Sequence, residues 1–185
     1  MNRDYFLQSQ RLKFSRWTRE DLPLAERLWG DPDVSRYICA SGVFTHEEIE
    51  ARLSLEIEND RILGIQYWPV FACEDEFAGC CGLRPHGEGE YELGIHLLPE
   101  YWHQGYASEA GRAAIGYAFG TLCGKALFAG HNPQNVRSRK VLEALGFTYI
   151  GDEFYPPTRL MHPSYRLSTK DLKTSGTVSL TEEEC

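Results

Sequence analysis

The chain has 185 residues, of which 42% are hydrophobic and 25% charged, and its formal net charge is −8. This size and balance predict one globular domain, and the acidic charge argues against a nucleic-acid backbone as the main partner. No apolar run approaches the roughly 18 residues of a membrane span, and the first residues lack the apolar core of a secretory signal, which together favour a cytoplasmic protein without a membrane partner.

The first half of the chain is predicted to form a strand, two helices and two more strands. Residues 12–16 alternate apolar and charged, as a half-buried strand does. Thr18 and Asp21 begin a helix that Gly30 ends, and Thr45 with Glu48 is a capping-box pair for a second helix. Two strands follow at 65–73 and 77–83, joined by an acidic turn, and a polar turn occupies residues 84–89.

The second half contains the remaining helices and strands. They are a strand ending at Pro99, a turn at 102–107, a helix at 108–122, a strand at 125–130, a helix at 136–145, and strands at 147–151 and 159–167. Residues 168–185 are polar and are expected to form a mobile tail. The order β-α-α-β-β-β-α-β-α-β-β therefore predicts one α/β domain over residues 1–167 with a mixed sheet.

The turn at 102–107 has the character of a phosphate-binding loop. Gly105 and Ala107 are small and lead directly into a helix, whose first N–H groups are unpaired and lie at the positive end of the helix dipole. The turn lacks the Gly-Lys-Ser/Thr of a P-loop and the three spaced glycines of a dinucleotide fingerprint. An ordinary strand-to-helix connection is the alternative interpretation.

A second pattern of interest is Asn135 followed three residues later by Ser138, which puts both on one face of a helix start. Such residues usually cap a helix. Asn132 and Pro133 also form a good cap and first-turn pair, and a helix that started there would leave Asn135 free for another role.

Taken together, the two patterns match a known family. Residues 92–114 resemble motif A of the GNAT acetyltransferases, and residues 135–147 resemble their motif B. Residues 11–23, 30–38 and 162–167 are similar to the ribosomal-protein N-acetyltransferase (RimJ/RimL-like) branch. The resemblance covers roughly residues 10–167. It implies an α/β fold with a mixed, mostly antiparallel central sheet, a splayed pair of strands and helices on both faces.

The resemblance also implies acetyl-CoA as the acetyl donor and assigns residues to it. The backbone at Ile95 and Leu97 would pair with the pantetheine arm, and Asn135 and Ser138 would meet the arm near its sulfur. The pyrophosphate turn would comprise Trp102, His103, Gln104, Gly105, Tyr106, Ala107 and Ser108. His103 departs from the family pattern, where glycine is commoner, and it is expected to be either an extra donor near phosphate or a solvated side chain.

The implied reaction is direct attack of a primary amine on the thioester, which requires a group that removes a proton from the ammonium. Glu92 is the candidate base, with Glu90 a weaker alternative on the same side of the strand; an ordinary sheet glutamate is the competing interpretation. The N–H of Leu97 is the candidate donor to the thioester oxygen. Ser138 and Tyr155, with Tyr149 behind it, are candidate acids towards the thiolate. Glu109 is expected to support the helix dipole.

Three questions stay open at this point. A non-catalytic acyl-CoA-binding domain of the same fold is the main alternative, and a thiol enzyme that uses Cys80 or Cys81 is another. The acceptor is an amine on a protein N-terminus or on a small molecule, and its site is expected at residues 38–44, 67–68 and 155–165. The sequence does not decide between a monomer and a homodimer.

Overall fold

Among residues 3–171, which this computed structural model describes, eight strands form one open sheet with the spatial order β1-β2-β3-β4-β5-β6-β8-β7. The strands are β1 (Leu7–Gln8), β2 (Lys13–Phe14), β3 (Tyr67–Phe71), β4 (Phe77–Gly87), β5 (Glu90–Leu97), β6 (Ala126–Gly130), β7 (Thr148–Tyr155) and β8 (Leu160–Ser168). Neighbouring strands are antiparallel except for β5 and β6, which are parallel. The predicted mixed, mostly antiparallel sheet is thus confirmed.

The helices lie between these strands in the chain, and capping residues in the sequence mark helix ends. They are α1 (Leu22–Trp29), α2 (Pro32–Ser35), α3 (His46–Leu63), α4 (Tyr106–Gly116) and α5 (Val136–Ala144). At the start of α3 the Thr45 side chain accepts from the N–H of Glu48 (3.3 Å), and the Thr45 N–H donates to the Glu48 carboxylate (2.8 Å). This is the predicted capping box, which satisfies two N–H groups at the helix start.

The parallel strands β5 and β6 separate after a short shared segment. They pair from Glu90 opposite Ala126 to Glu92 opposite Phe128. Beyond that point β5 stays bonded to β4, with the Leu98 N–H donating to the Ala78 carbonyl (2.9 Å). Because antiparallel bonding alternates, the backbone groups of Ile95 and Leu97 face away from β4, into the gap that opens beside β6.

Successive side chains of β5 point to opposite faces of the sheet, and each face meets a different helical layer. On one face the Trp29 indole of α1 donates to His96 (3.3 Å). On the other, Ile95 lies beside Gly111 of α4, where an added Cβ would come within 3.3 Å of the Ile95 side chain. The gap between β5 and β6 therefore opens between two helical layers, as the resemblance implied.

Several element ends differ from the sequence predictions. Strand β1 and the short α2 were not predicted, α4 begins at Tyr106 instead of residue 108, and β4 continues to Gly87 through residues predicted as a turn. In β4, Arg84 and Pro85 are polar or turn-forming by type, yet they pair with Glu92 and Tyr91 because the hairpin turns only after Gly87. Likewise β7 extends to Tyr155 by pairing with β8.

The C-terminal prediction falls mostly outside the described residues. Ser168 is the last residue of β8 and pairs with Ala126, while the mobile tail predicted for the residues after 171 lies beyond the part of the chain that the structure describes. None of the helices within residues 3–171 combines the length and apolar character needed to cross a bilayer. The predicted cytoplasmic location stays a prediction.

Candidate active site

A cavity of about 650 Å³ lies where β5 and β6 separate, and it reaches both helical layers. On one side it is lined by the loop before α4 and by α5; on the other it is lined by residues of α2, α3 and the β7–β8 hairpin. Between them stand Glu92 to Leu97 of β5. The sheet gap is thus a passage that connects an N–H-rich helix start with a pocket walled by charged and aromatic side chains.

The loop before α4 presents unpaired backbone N–H groups to the cavity. Gly105 is the N-cap and has φ +80°, a left-handed conformation that glycine adopts without steric cost. The first N–H with a partner inside the helix is that of Glu109, which donates to the Gly105 carbonyl (3.0 Å). The N–H groups of Tyr106, Ala107 and Ser108 therefore have no helical partner, and all three residues line the cavity.

His103 has the backbone conformation that explains the glycine found there in the family pattern. Its φ is +60°, in the left-handed region that side chains with a Cβ rarely adopt. The residue is exposed and lines the mouth of the cavity. Because this backbone conformation favours glycine, the turn is strained at His103.

Trp102 ties this loop to the splayed strand. Its indole N–H donates to the Leu97 carbonyl (2.8 Å), and the Arg137 guanidinium of α5 lies 5.0 Å from the centre of its indole ring. Arg137 and Lys140 both line the cavity. The helix start and these two cations make this side of the cavity suited to an anionic ligand.

Gln104 is the one residue of the predicted pyrophosphate turn that does not line the cavity. Its side-chain amide donates to the Glu100 carbonyl (2.6 Å), and its own carbonyl accepts from the Arg11 guanidinium (3.1 Å). Both contacts stabilise the turn from outside the cavity, so the role of Gln104 here is structural.

The predicted start of α5 at residue 136 is confirmed, and the alternative start at Asn132 and Pro133 is wrong. The helix begins at Val136 with Asn135 as its N-cap, and the Asn135 side-chain oxygen accepts from the Ser138 N–H (3.3 Å). Asn132 instead accepts from the Gln134 N–H (3.0 Å), forming a turn ahead of the helix. Asn135 and Ser138 still line the cavity, and the Ser138 hydroxyl has no hydrogen-bond partner within residues 3–171.

Glu92 lines the cavity at the point where β5 and β6 separate, and two phenols, those of Tyr67 and Tyr155, line the same cavity. Burial raises the pKa of Tyr67 and of Tyr155, and the negative charge of Glu92 raises both further. Tyr155 also packs on His162, with ring centroids 4.7 Å apart. Both phenols are therefore protonated at neutral pH, and Tyr155 can donate a proton close to Glu92.

The weaker base candidate, Glu90, lies outside the cavity. Its carboxylate accepts from the Arg166 guanidinium of β8 (2.6 Å). Tyr149, the alternative to Tyr155, is exposed and donates to Asp152 (2.8 Å). Neither residue lines the cavity where Glu92 lies.

The side of the cavity lined by α2, α3 and the β7–β8 hairpin holds a group of charged side chains that the sequence did not reveal. Arg84 forms an ion pair with the fully buried Glu56 and lies 4.2 Å from the centre of the Tyr67 ring. Glu56 also accepts from the Tyr67 N–H (2.8 Å). One signal was present: Glu56 falls on the apolar stripe that Ile49 and Leu53 define on α3, where a carboxylate needs a buried partner.

His96 is a neutral donor in this region. Burial lowers its pKa well below the ordinary value, and the charges of Arg52 and Arg84 lower it further. An indole N–H can only donate, so the His96 Nδ1 accepts from Trp29 and the proton lies on Nε2. His96 lines the cavity and was not predicted as a site residue.

Some residues of the segments predicted to form the acceptor site line the cavity, and others do not. Ile38, Tyr67, Tyr155 and His162 line the cavity, whereas Trp68 is fully buried on the other face and packs against Phe6 and Tyr117. Helices α2 and α3 contribute Asp33, Val34 and Arg52, and the turn after α2 contributes Tyr37.

The two adjacent cysteines are unsuited to a nucleophilic role. Cys80 and Cys81 are fully buried, and burial raises the pKa of both thiols above the ordinary value. The thiolate is the reactive form, and burial in apolar surroundings disfavours it.

Comparison with known proteins gives consistent matches. The family described as "Acetyltransferase (GNAT) domain" matches residues 11–148. The chain is similar to the uncharacterized N-acetyltransferase p20 of Bacillus licheniformis, with 31% identity over 150 residues that cover 78% of this chain and 83% of the relative.

Solved structures show the same fold. A GNAT-family acetyltransferase from Bacillus anthracis matches with a TM-score of 0.76 and 24% identity, covering 89% of this chain and 98% of the other. RimL, a ribosomal L7/L12 alpha-N-protein acetyltransferase solved in complex with coenzyme A, matches with a TM-score of 0.75 and 15% identity over the same shares of the two chains.

Proposed function

This chain belongs to the GNAT acetyltransferase family and is an acetyltransferase, and from that premise we propose that it transfers the acetyl group of acetyl-CoA to a primary amine. The amine is that of a protein N-terminus or of a small molecule. The structural neighbours include a ribosomal-protein acetyltransferase, in keeping with the predicted branch.

The residues on the donor side fit coenzyme A. The N–H groups of Tyr106, Ala107 and Ser108 would bind the pyrophosphate with the help of Arg137, because an anion there gains hydrogen bonds and the favourable end of the α4 dipole. The backbone edge at Ile95 and Leu97 would pair with the pantetheine amides. Bound acetyl-CoA supplies an activated acetyl thioester at the gap.

The residues around the gap would handle protons. An ammonium cannot attack a carbonyl, so Glu92 would accept a proton from the acceptor amine, directly or through a water. The Leu97 N–H would stabilise negative charge on the thioester oxygen. Tyr155, kept protonated by burial and by Glu92, would donate to the departing sulfur, and the Ser138 hydroxyl is the second donor in reach of the cavity.

The single observation that supports this function best is the continuity of the cavity. One cavity runs from the unpaired N–H groups at the α4 start, past the open edge of β5, to Glu92 and Tyr155. A site that only bound an acyl-CoA would not require a carboxylate and a protonated phenol beyond the thioester end.

An acceptor screen with mass spectrometry tests this proposal. Purified protein is incubated with acetyl-CoA and a panel of peptides and small amines, and products are identified by a gain of one acetyl group. We expect at least one amine to be acetylated with stoichiometric release of the thiol. Stabilisation by acetyl-CoA without acetylation of any amine would instead support the non-catalytic acyl-CoA-binding alternative.

A further inference from the structure

Arg52 of α3 and Arg84 of β4 line the part of the cavity where the acceptor would bind. In each of these two arginines a guanidinium nitrogen has no hydrogen-bond partner within the described residues. The Nε atoms of Arg52 and Arg84 are both inaccessible to solvent and have no hydrogen-bond partner within residues 3–171. Both side chains line the cavity. A buried donor left unpaired costs about 1–3 kcal/mol, but a ligand in the cavity cannot reach either Nε. The terminal nitrogens of Arg52 also make no hydrogen bond within residues 3–171, are not buried, and are the donors that a ligand can reach.

The two arginines differ in their charge balance. Arg84 is neutralised by its ion pair with buried Glu56. Arg52 forms no ion pair in the described chain; its guanidinium lies 4.8 Å from the centre of the Trp29 ring and 5.4 Å from that of Phe44. These contacts with the two aromatic rings hold the Arg52 guanidinium in place and leave its terminal N–H groups available.

The other charges of this region do not neutralise Arg52. Asp33 lines the same end, but it pairs with Arg36 (3.1 Å). Glu153 is exposed on the β7–β8 hairpin. Arg52 lines the same cavity as His96 and Tyr155. This end of the cavity therefore presents a carboxylate, Glu92, and a cation that makes no ion pair within residues 3–171, Arg52.

We propose that the acceptor is an amino-acid-sized amine that also carries an anionic group, a carboxylate or a phosphonate, and that Arg52 and Arg84 bind this group while Glu92 faces the amine. The inference rests on the proposed function and narrows its acceptor. A guanidinium binds a carboxylate or phosphonate through paired, charge-assisted hydrogen bonds. An acceptor without the anion would forgo these hydrogen bonds and leave the charge of Arg52 without an ion-pair partner, which lowers its transition-state binding relative to the acid.

The test compares matched amines. Acetylation rates are measured for a panel of amino acids, for the corresponding neutral amides, for aminoalkyl phosphonates, and for peptides with a free N-terminus and no acidic residue. Rates are normalised to the concentration of unprotonated amine, because amides and acids differ in amine pKa. We expect kcat/KM for the best acid or phosphonate to exceed that of its neutral counterpart about 10-fold or more.

Variants of α3 assign the effect to Arg52. Arg52→Gln should reduce the acid-to-amide ratio to near 1, mainly through KM for the acid, while acetyl-CoA still stabilises the variant and so shows that it folds. Arg52→Lys should retain part of the ratio. Arg61→Gln is the matched control, because Arg61 lies on the same helix, pairs with Glu58 (2.8 Å) and is outside the cavity; its ratio should equal that of the wild type.

The outcomes separate the two proposals. Neutral amides or neutral peptides acetylated as fast as the acids, or a ratio unchanged in Arg52→Gln, would overturn this inference and leave the proposed function standing. Acetyl-CoA binding without acetylation of any amine would overturn the proposed function itself.

Discussion

Glu90 and Glu92 show how surroundings separate two residues that look alike in sequence. They lie two apart on β5 and so point to the same face. Arg166 of the distant β8 donates to the Glu90 carboxylate, whereas Glu92 lines the cavity together with Tyr67 and Tyr155. The pattern of β5 alone could not rank them, because the deciding partner comes from a strand 76 residues further along the chain.

Replacing Glu92 by glutamine should lower kcat by about 100-fold or more, since general-base catalysis contributes that much and an amide cannot take the proton. The rise of the rate with pH that reports the base should disappear from the profile. Glu90→Gln is the matched control and should leave kcat unchanged, because Glu90 is outside the cavity. Steady-state kinetics over a range of pH measure both, and equal activity of Glu92→Gln and the wild type would refute the assignment.

His103 offers a second test at a single residue. Its φ of +60° carries a steric cost of about 1–2 kcal/mol that glycine avoids, although glycine also loses more entropy on folding. We therefore expect His103→Gly to raise the free energy of unfolding slightly, by up to about 1 kcal/mol. Urea denaturation measures the change. A loss of stability greater than 1 kcal/mol would mean that the imidazole makes a stabilising contact.

At the level of elements, the start of α4 is fixed by a clamp from the β1–β2 turn. Glu109 accepts from the Ser9 hydroxyl, the Arg11 N–H and the Arg11 guanidinium, each at 2.7 Å. The sequence suggested only that Glu109 supports the helix dipole. Its three donors lie about a hundred residues earlier in the chain, so no local pattern could reveal them.

This clamp predicts a pH-dependent loss of stability. Burial alone would raise the pKa of Glu109, but the hydrogen bonds from Ser9 and Arg11 outweigh it and lower the pKa below the ordinary value. A lowered pKa stabilises the fold above the unfolded value, about 4.3, and this contribution is lost as the pH falls through the folded pKa. Glu109→Gln should therefore lower Tm by a few degrees at pH 7, with the difference shrinking below pH 4. A difference in Tm that stays constant between pH 7 and pH 3 would contradict the role of the charge.

Local sequence signals predicted helix starts, among them those that line the cavity. They failed where the length of a strand is set by pairing with another strand. The Thr45 capping box, the Gly105 turn and the Asn135 and Ser138 pair are encoded within four residues each. In contrast, the length of β4 and β7 depends on pairing with β5 and β8, so polar residues such as Arg84 were assigned to a turn. Asn135 itself serves as the cap that its residue type favours.

At the scale of the whole molecule, the part of the cavity proposed to bind the acceptor combines residues from α2, α3, β3, β4, β5 and the β7–β8 hairpin. The family resemblance predicted the splayed sheet. It could not predict that Glu56 of α3 would hold Arg84 of β4, or that Arg52 would lie unpaired beside them. These contacts join elements that are far apart in the chain, so no local sequence pattern could reveal them.

The claim that the gap between β5 and β6 is the acetyl-CoA site is tested most directly by calorimetric titration with acetyl-CoA. Ala107→Glu adds a negative charge to the cavity-lining first turn of α4, where a glutamate favours the helix but repels a pyrophosphate. Ser54→Glu adds the same charge on the exposed side of α3, outside the cavity. We expect one site per chain in the wild type and in Ser54→Glu, and affinity at least about 10-fold weaker in Ala107→Glu. Absence of binding to the wild type, or equal affinity in Ala107→Glu, would contradict the account.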